Sequence, residues 1–504
     1  MGDLANPAPT LNTLCRFGFL FCVARVDGYS DCGGIMASDE NDRHTNRFDI
    51  LRITPRTTHE TVIWQLPPSK SHLIRAMALY SQTHQKIGLR NVASSGEDVR
   101  AMRGCLMQMG VQFDDYDSQG RILLRKESNT FSSHPDAHKW VVHGVGPHGF
   151  KRPEGVLNAA NSGTALRFLA GFAARMDGPV ILDGDQTLRV RNSDALWDSL
   201  RQAGVRVSID DGAEYLPAIV SGPWKEENIE RGIHLDISQS SQPLSSWLLS
   251  SASLPAKMAL NLVGKGVSNR HAQLTAQMVN EAGGDIEIIN GKCILEPWIP
   301  ERDADYVVPG DASMASFAAL AAYCLESKIQ LHGWPEKEQA IGHEILQESS
   351  IEYGIKWLDD ELSASPKAQP CELNLTNSND ILPPMCALLA LGCGGRIVGA
   401  GHAAHKESNR LEKTAELLSH FGLVATVHPN GIEVAGNQTP TRPESVVPTF
   451  GDHRLFMTAI LLASKTGGDI LGHSLHYVAD EGFVERLIDA GIGIQKTSIP
   501  FDTN

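Results

Sequence analysis

Cationic and hydroxyl side chains gather where an apolar helix is predicted to begin. The stretch PPSKSHLIRA places Lys70 between Ser69 and Ser71, directly before an apolar run, and Arg75 follows four residues after Ser71. Serine hydroxyls cap helix N-termini, and the free N–H groups and dipole at such an end attract anions. Arginine adds planar bidentate contacts to carboxylate or phosphate, and lysine adds a compact point charge. The segment therefore indicates either a capped helix with a stray lysine or an anion site.

The same arrangement recurs along the chain, which favours the anion site. Six segments open with small or polar residues and continue as an apolar helix; they begin at Ser69, Asn161, Ser240, Gly310, Asn379 and Gly451. Each is followed by an amphipathic helix that ends at a glycine and leads into a strand, as expected because glycine takes positive φ without strain. A cap alone explains the polar residues of any one segment. Six such helix starts that converge on a cleft favour a shared anionic ligand.

Each unit of this pattern reads as strand, helix, strand, helix, strand. An alternation of this kind is typical of the α/β class, and six units in one chain predict two domains of three units. The alternative is a long α/β protein whose helices look alike by chance, and the constant order of the paired segments argues against it.

Composition narrows the classes of function. The chain has 504 residues and a net charge of −15, so general binding to nucleic acid or to an anionic membrane is not expected. Its nine cysteines are scattered without zinc-binding spacing, which is typical of a reduced, cytoplasmic protein with no metal site. The apolar run FGFLFCVARV is too short to span a bilayer. Residues 1–45 are predicted to be a disordered or non-native extension; if they are instead a transit peptide, organellar import follows.

Seven motifs in order resemble those of the 5-enolpyruvylshikimate-3-phosphate (EPSP) synthase family, over about residues 60–495. The first is Ser-Lys-Ser-x-x-x-Arg, at Ser69–Arg75. The others are NSGTALR from Asn161, LRVR from Leu188, SSQ from Ser240, GDAS from Gly310, HKESNR from His405 and GDHR from Gly451.

The resemblance implies an α/β fold of a particular kind, a two-domain inside-out α/β barrel. Six repeats of a βαβαββ-like unit, three per domain, would place the helices inside and the sheets outside. The chain would cross between domains near residues 67–69 and 308–310. Domain one would then comprise residues 46–68 plus 309–504, and domain two residues 69–308. The protein is expected to be a monomer.

The resemblance also implies a reaction. The family transfers the enolpyruvyl (carboxyvinyl) group of phosphoenolpyruvate (PEP) to a hydroxyl of shikimate 3-phosphate and releases phosphate, a step of aromatic amino-acid biosynthesis that needs no cofactor. Lys70 would lie beside the reacting centre, Asp380 would be the base for the hydroxyl, and Glu407 would handle protons at the methylene carbon. Taken alone, Asp380 is better explained as a helix N-cap, and Glu407 as a surface partner of Arg410 at i,i+3. The flanking motifs reverse that preference in favour of catalytic roles.

The remaining family positions bind substrates. On the acceptor side they are Ser71, Arg75, Ser240, Ser241, Gln242, Ser268 and Lys406. On the PEP side they are Lys70, Asn161, Gly163, Thr164, Arg191, Arg410 and Arg454. No catalytic role is assigned to His453.

Several substrate-facing positions depart from the family pattern. Val478 stands where the family has a lysine that contacts PEP, and His271 stands where an aromatic hydroxyl is common. Asparagine replaces proline or aspartate at Asn192, Asn379 and Asn409. These changes leave open the alternative that the protein is a paralogue in a specialised biosynthetic pathway. It would then act on a different shikimate-like or cyclitol phosphate, with or without PEP. A non-enzymatic binding or regulatory protein is a further alternative. The presence of Lys70, Asp380, Glu407 and Arg454 argues against it. The related UDP-N-acetylglucosamine enolpyruvyl transferase is disfavoured because its reactive cysteine loop has no counterpart.

Overall fold

The computed structural model describes residues 47–55, 60–124, 133–365 and 369–500. The predicted N-terminal extension, residues 1–45, lies outside the described residues, as does the alternative of a transit peptide there.

Short strands make up the sheets of the protein. In chain order they are β1 (Arg47–Thr54), β2 (Val62–Gln65), β3 (Lys86–Arg90), β4 (Gln112–Tyr116), β5 (Ile122–Leu123), β6 (Lys139–His143), β7 (Leu157–Asn158), β8 (Gly178–Asp183), β9 (Arg206–Ile209), β10 (Ala218–Gly222), β11 (Ile233–Asp236), β12 (Met258–Val263), β13 (Ile288–Ile289), β14 (Lys292–Leu295), β15 (Tyr306–Val307), β16 (Ile329–His332), β17 (Ile355–Leu358), β18 (Glu361–Ala364), β19 (Cys371–Asn374), β20 (Gly395–Val398), β21 (Ala425–His428), β22 (Gly431–Val434), β23 (Gly468–Leu471) and β24 (Gly493–Pro500).

Helices alternate with these strands. They are α1 (Lys70–Tyr80), α2 (Glu97–Gln108), α3 (Gly163–Ala173), α4 (Gln186–Arg189), α5 (Asp194–Gln202), α6 (Glu226–Arg231), α7 (Gln242–Ser250), α8 (Asn269–Glu281), α9 (Ala315–Cys324), α10 (Ile345–Glu348), α11 (Leu382–Leu391), α12 (Arg410–His420), α13 (His453–Thr466) and α14 (Phe483–Asp489).

The described strands assemble into six sheets. Their orders are β23-β1-β24, β7-β8-β10-β9, β11-β12-β14-β13, β15-β3-β6-β4-β5, β17-β18-β16-β2 and β19-β20-β22-β21. Five of the six mix parallel and antiparallel pairs, for example β2 parallel to β16 and β16 antiparallel to β18. Within the described ranges each sheet has two free edges, so no sheet by itself closes into a barrel.

The buried apolar side chains form two separate clusters. One cluster takes residues between Leu73 and Val308, together with Ile341, and the other takes Leu51–Leu66 and residues between Met314 and Ile492. Helices that begin at the polar segments lie within these clusters. All ten residues of α9 and nine of the ten in α11 are buried, which explains why these helices are apolar on every side.

The chain passes between the two apolar clusters at two adjacent stretches, residues 67–69 and 309–311. Ser69 donates its N–H to the carbonyl of Pro309 at 2.8 Å, and Asp311 donates to the carbonyl of Pro67 at 2.8 Å. A Cβ on Gly310 would lie 1.9 Å from the carbonyl oxygen of Gly333, so only glycine fits there. These are the stretches at which the sequence predicts the crossings between domains.

None of the helices in the described ranges combines the length and the apolar composition that crossing a bilayer requires.

Candidate active site

The polar segments begin helices where the sequence predicts them. Ser162 caps α3 by accepting from the N–H of Ala165 at 3.2 Å, and Asp452 caps α13 by accepting from the N–H of Arg454 at 2.9 Å. At α1 the pattern differs, because the hydroxyl of Ser69 pairs with Nδ1 of His72 at 2.9 Å and caps nothing.

Lys70 is held from two sides by carboxylates that sequence reasoning missed. Its Nζ lies 2.9 Å from Oδ2 of Asp98, at the start of α2, and its N–H donates to Oδ2 of Asp311 at 3.2 Å. Burial lowers the pKa of Lys70, but Asp98 and Glu407 outweigh it and raise the pKa above its ordinary value. Lys70 is therefore a cation at neutral pH. The sequence shows only that Asp98 is a carboxylate in the first turn of a helix. Such a carboxylate is also explained by its favourable interaction with the helix dipole, so it does not by itself indicate a contact with Lys70.

Arg410 joins three carboxylates around one buried guanidinium. Its Nε donates to Asp452 at 2.8 Å, its Nη1 to Asp380 at 2.7 Å and its Nη2 to Glu407 at 2.5 Å. Asp452 is fully buried and was read from the sequence only as part of a helix start. The i,i+3 contact between Glu407 and Arg410 is thus present, but deep in the protein rather than on its surface.

Both predicted proton-transfer carboxylates are ionised. Burial opposes this, but Lys406, Arg454 and Arg410 hold the pKa of Asp380 well below its usual range. The Nζ of Lys406 lies 3.6 Å from Oδ1 of Asp380, farther than the 2.7 Å between Nη1 of Arg410 and the same oxygen. Arg410 and Arg191 likewise outweigh burial at Glu407 and hold its pKa well below its usual range.

Two of the arginines predicted for PEP differ in how much of their donor capacity is used. Arg191 donates through Nη1 and Nη2 to Asn161 at 3.1 and 3.0 Å, and it lies 3.7 Å from Glu407. Arg454 donates from Nη2 to Ser313 at 2.9 Å, while its buried Nε and Nη1 have no hydrogen-bond partner among the described residues. Arg454 therefore has free donors for an anion, and it borders the same cavity as Lys70 and Asp380.

The loop that begins α3 is tightly packed. The amide of Asn161 donates to Asp185 at 2.8 Å and to Thr187 at 2.5 Å. A Cβ on Gly163 would approach Nη1 of Arg167 to 2.7 Å. The Thr164 hydroxyl accepts from Gln242 at 3.0 Å, which ties α3 to α7.

The residues predicted for the acceptor fall into two groups. Ser71 lines the cavity beside Lys70. Arg75 does not line it; this residue is buried, and every guanidinium nitrogen has a protein partner, the closest being Thr275 at 2.7 Å. Burial lowers the pKa of Arg75 to about 10. Ser240, Ser241, Gln242 and Ser268 lie at the starts of α7 and α8 and do not line that cavity.

Of the five departures from the family pattern, the structure shows local contacts for Val478, Asn192 and Asn409 but none that explains His271 or Asn379. Val478 is buried, and its carbonyl oxygen would lie 2.4 Å from a Cβ on Gly96, so its backbone packs closely against the residue that precedes α2. Asn192 accepts from the N–H of Asp194 at 3.0 Å, and Asn409 caps α12. Asn379 is buried, its amide nitrogen has no hydrogen-bond partner among the residues that the structure describes, and nothing in the structure explains the substitution.

With the geometry in place, comparison with known proteins decides the family. A family model described as EPSP synthase (3-phosphoshikimate 1-carboxyvinyltransferase) matches residues 54–485. The chain belongs to the EPSP synthase family. This confirms the resemblance that the motifs carry.

Relatives of this EPSP synthase family member include archaeal proteins. A 3-phosphoshikimate 1-carboxyvinyltransferase of Methanothermobacter thermautotrophicus is 26% identical over 430 residues, which cover 84% of this chain and 94% of that protein. The Methanosphaera stadtmanae protein of the same name is 27% identical, covering 80% and 91% of the two chains.

Solved structures share the fold. The EPSP synthase of Acinetobacter baumannii superposes with a TM-score of 0.66 at 20% identity, covering 89% of this chain and all of the other. The enolpyruvyl transferase NikO of Streptomyces tendae gives 0.65 at 15% identity, covering 90% and 100%. The predicted two-domain α/β class is thereby confirmed. Among the described residues, no His, Cys, Asp and Glu side chains group as a metal site requires.

Proposed function

We propose that this protein transfers the enolpyruvyl group of PEP to a ring hydroxyl of shikimate 3-phosphate and releases phosphate. Membership of the EPSP synthase family supports the reaction. The single observation that carries the proposal is the set of buried charges around Arg410, where Asp380 and Glu407 are ionised within reach of Lys406 and Arg191. Such fixed charges stabilise a developing charge without having to reorganise.

The proposed steps use the carboxylates for proton transfer. Asp380 takes the proton of the hydroxyl as its oxygen bonds to the central carbon of PEP. Glu407 gives a proton to the methylene carbon, which becomes a methyl group. The tetrahedral intermediate then loses phosphate, which leaves with the proton that Asp380 had taken, and the proton returns from the methyl group to Glu407, which restores the double bond. Glu407 is ionised without substrate, but an anion bound beside it raises its pKa and favours the protonated form.

The substrate positions follow from the charges. Arg454 and Lys70, with Arg191 and Arg410, would hold the phosphate and carboxylate of PEP beside Asn161, Gly163 and Thr164. On the acceptor side, Ser71 would contact the ring, and Ser240, Ser241, Gln242, Ser268 and Lys406 would hold the phosphate end. Arg75 would contact the acceptor carboxylate only if that carboxylate displaced its protein partners; without substrate it braces α1 against α8.

We also propose the finer architecture of the resemblance. The division into domain one, residues 46–68 plus 309–504, and domain two, residues 69–308, is supported by the two apolar clusters. Three repeats per domain with helices inside are supported by six sheets and by buried helices such as α9 and α11.

Phosphate release from PEP in the presence of shikimate 3-phosphate tests the reaction. We expect one phosphate per acceptor consumed and none when either substrate is left out. A folded protein that releases no phosphate at high enzyme concentration contradicts the proposal. Calorimetry then identifies the failure: acceptor binding without PEP binding indicates that Val478 has removed a cation that this chain needs.

A further inference from the structure

A buried histidine with one free ring nitrogen borders the cavity that contains Asp380. His343 lines this cavity together with Ser71 and His271. Its Nδ1 lies 2.9 Å from the carbonyl oxygen of Ala340. A carbonyl oxygen can only accept, so Nδ1 carries the proton and Nε2 of the neutral ring is an acceptor lone pair. Nε2 is buried and has no hydrogen-bond partner among the described residues.

The ring of His343 is uncharged at neutral pH. Burial lowers its pKa, and the nearby Asp311 and Asp380 oppose this only in part. A buried acceptor without a donor is unfavourable, and such atoms in folded proteins commonly meet a ligand or water. The free Nε2 therefore calls for a hydrogen-bond donor.

The turn that carries His343 is fixed from several directions. Ile341 has a φ of 57°, which is strained for a β-branched residue, yet its side chain is buried in the apolar cluster of residues 73–308. Gly342 has a φ of 93°, and a Cβ there would lie 2.7 Å from the carbonyl oxygen of Asn377. Glu344 bonds to the N–H of Gly342 at 2.7 Å and pairs with Arg270 of α8 at 3.0 Å. The imidazole is thus held in place before any substrate arrives.

The charges of the other groups that line the cavity indicate which kind of ligand group Nε2 would bind. Lys70 and Arg454 are cations suited to phosphate or carboxylate, and the ionised Asp380 is suited to the reacting hydroxyl. A neutral lone pair repels those anions and accepts only from a donor. Besides the hydroxyl that reacts, shikimate 3-phosphate carries a further ring hydroxyl, which is such a donor.

We propose that His343 selects the acceptor, with Nε2 accepting a hydrogen bond from the ring hydroxyl that does not react. This inference rests on the proposed function, because it takes shikimate 3-phosphate as the acceptor. It adds to that function a specificity-determining contact from the turn 340–344, which none of the family motifs contains.

Two substitutions separate the roles of the two ring nitrogens. His343→Asn places an amide nitrogen where Nδ1 lies, so the bond to Ala340 can persist while the acceptor at Nε2 is lost. His343→Gln places an amide oxygen where Nε2 lies and gives up the bond to Ala340. For H343N we expect the KM for shikimate 3-phosphate to rise about tenfold, the value of one hydrogen bond, with kcat and the KM for PEP within about twofold. H343Q should recover most of the loss, and thermal unfolding shows whether both variants fold.

An acceptor analogue that lacks the non-reacting hydroxyl completes the test. Wild type and H343N should show the same KM for this analogue. An unchanged KM for shikimate 3-phosphate in H343N, an effect confined to kcat, or an equally large difference with the analogue each overturns the inference. Phosphate release by the wild-type protein distinguishes failure of the proposed function from failure of this inference alone. If the wild-type protein releases no phosphate, the proposed function fails and this inference fails with it.

Discussion

At Arg410 a single buried side chain pairs with three carboxylates of the site. Its guanidinium contacts Asp380, Glu407 and Asp452, and it helps to hold the pKa values of Asp380 and Glu407 well below their usual ranges. Removing one partner of a buried pair leaves an uncompensated charge, which is costlier than the net value of the pair. The geometry therefore makes stability and activity depend on the same residue.

Replacing Arg410 tests that dependence. We expect R410Q to lower the free energy of unfolding by about 3–5 kcal/mol, because Asp452 would be left buried without its cation. R396Q is the matched control, since Arg396 is half exposed and 3.9 Å from Glu433, a surface pair worth less than about 1 kcal/mol. Urea unfolding of both variants measures the difference. Equal losses would show that burial of the charges is not what matters.

Asp380 is the residue at which proton transfer is tested. D380N keeps the size of the side chain but cannot take the hydroxyl proton, so kcat should fall by about 10²–10⁴-fold. Shikimate 3-phosphate should still bind, as titration calorimetry can measure. The exposed Asp360 provides the control, and D360N should leave phosphate release unchanged. Full activity in D380N would remove Asp380 from the mechanism.

The residues with charged or hydroxyl side chains could be predicted from motifs, but their partners could not. Glu407 stands beside Lys406 in its sequence motif and contacts Arg410 in the structure. Asp98, Asp380 and Asp452, by contrast, are 28, 30 and 42 residues away from the cations they contact. A sequence gives residue types along the chain, whereas these ion pairs depend on which helix starts meet in the folded protein.

At the scale of elements, the helix starts were the most predictable feature. Polar residues followed by apolar runs predict α1, α3, α7 and α13 at the observed residues, because the change from polar to apolar residues is a local pattern. Of these four helices, α3 and α13 have a side-chain cap. The pairings β2 with β16 and β15 with β3 were not predicted, since each joins strands more than two hundred residues apart. Such pairings depend on where the chain returns, which no local pattern encodes.

A substitution at Gly96 tests whether α2 packs closely against Val478 in the C-terminal part of the chain. A Cβ at Gly96 would lie 2.4 Å from a backbone oxygen, so G96A must push α2 away and loosen the ion pair between Arg100 and Glu481. We expect a loss of about 1–3 kcal/mol in unfolding free energy and a higher KM for PEP, because Asp98 on α2 holds Lys70.

A second glycine serves as the control for that substitution. Gly155 has no heavy atom closer than 3.9 Å to an added Cβ and no positive φ, so G155A should be neutral or slightly stabilising. If G96A proved as mild as G155A in chemical denaturation, the close approach of α2 to Val478 would be disproved.

At the scale of the whole molecule, buried histidines should make stability depend on pH. Burial lowers the pKa of His72 and His476 to about 3 and of His402 to about 4, and it lowers those of His271, His343 and His453 as well. These rings stay neutral in the folded protein but bind a proton in the unfolded chain below about pH 6.5. The unfolded state thus binds more protons there, so stability falls as pH falls.

The size of this effect can be isolated at His476, which lies outside the proposed site. Lys496, Arg486 and His473 add to burial in keeping its pKa low. Each such histidine contributes about 1.4 kcal/mol per pH unit between its unfolded and folded pKa values. We therefore expect the free energy of unfolding to drop steeply from pH 6.5 to pH 5, and H476N to reduce that slope by about 1.4 kcal/mol per unit.

The slope, rather than the absolute stability of H476N, is the quantity to compare, because any packing defect shifts both ends of the range equally. Burial raises the pKa values of Asp98 and Asp480, and these groups act in the opposite direction at the acid end. Urea titrations between pH 5 and pH 6.5 keep their contribution common to both proteins. An identical slope in H476N and wild type would mean that His476 is protonated in the folded state, with its ring open to water rather than packed against Phe456 and Tyr477.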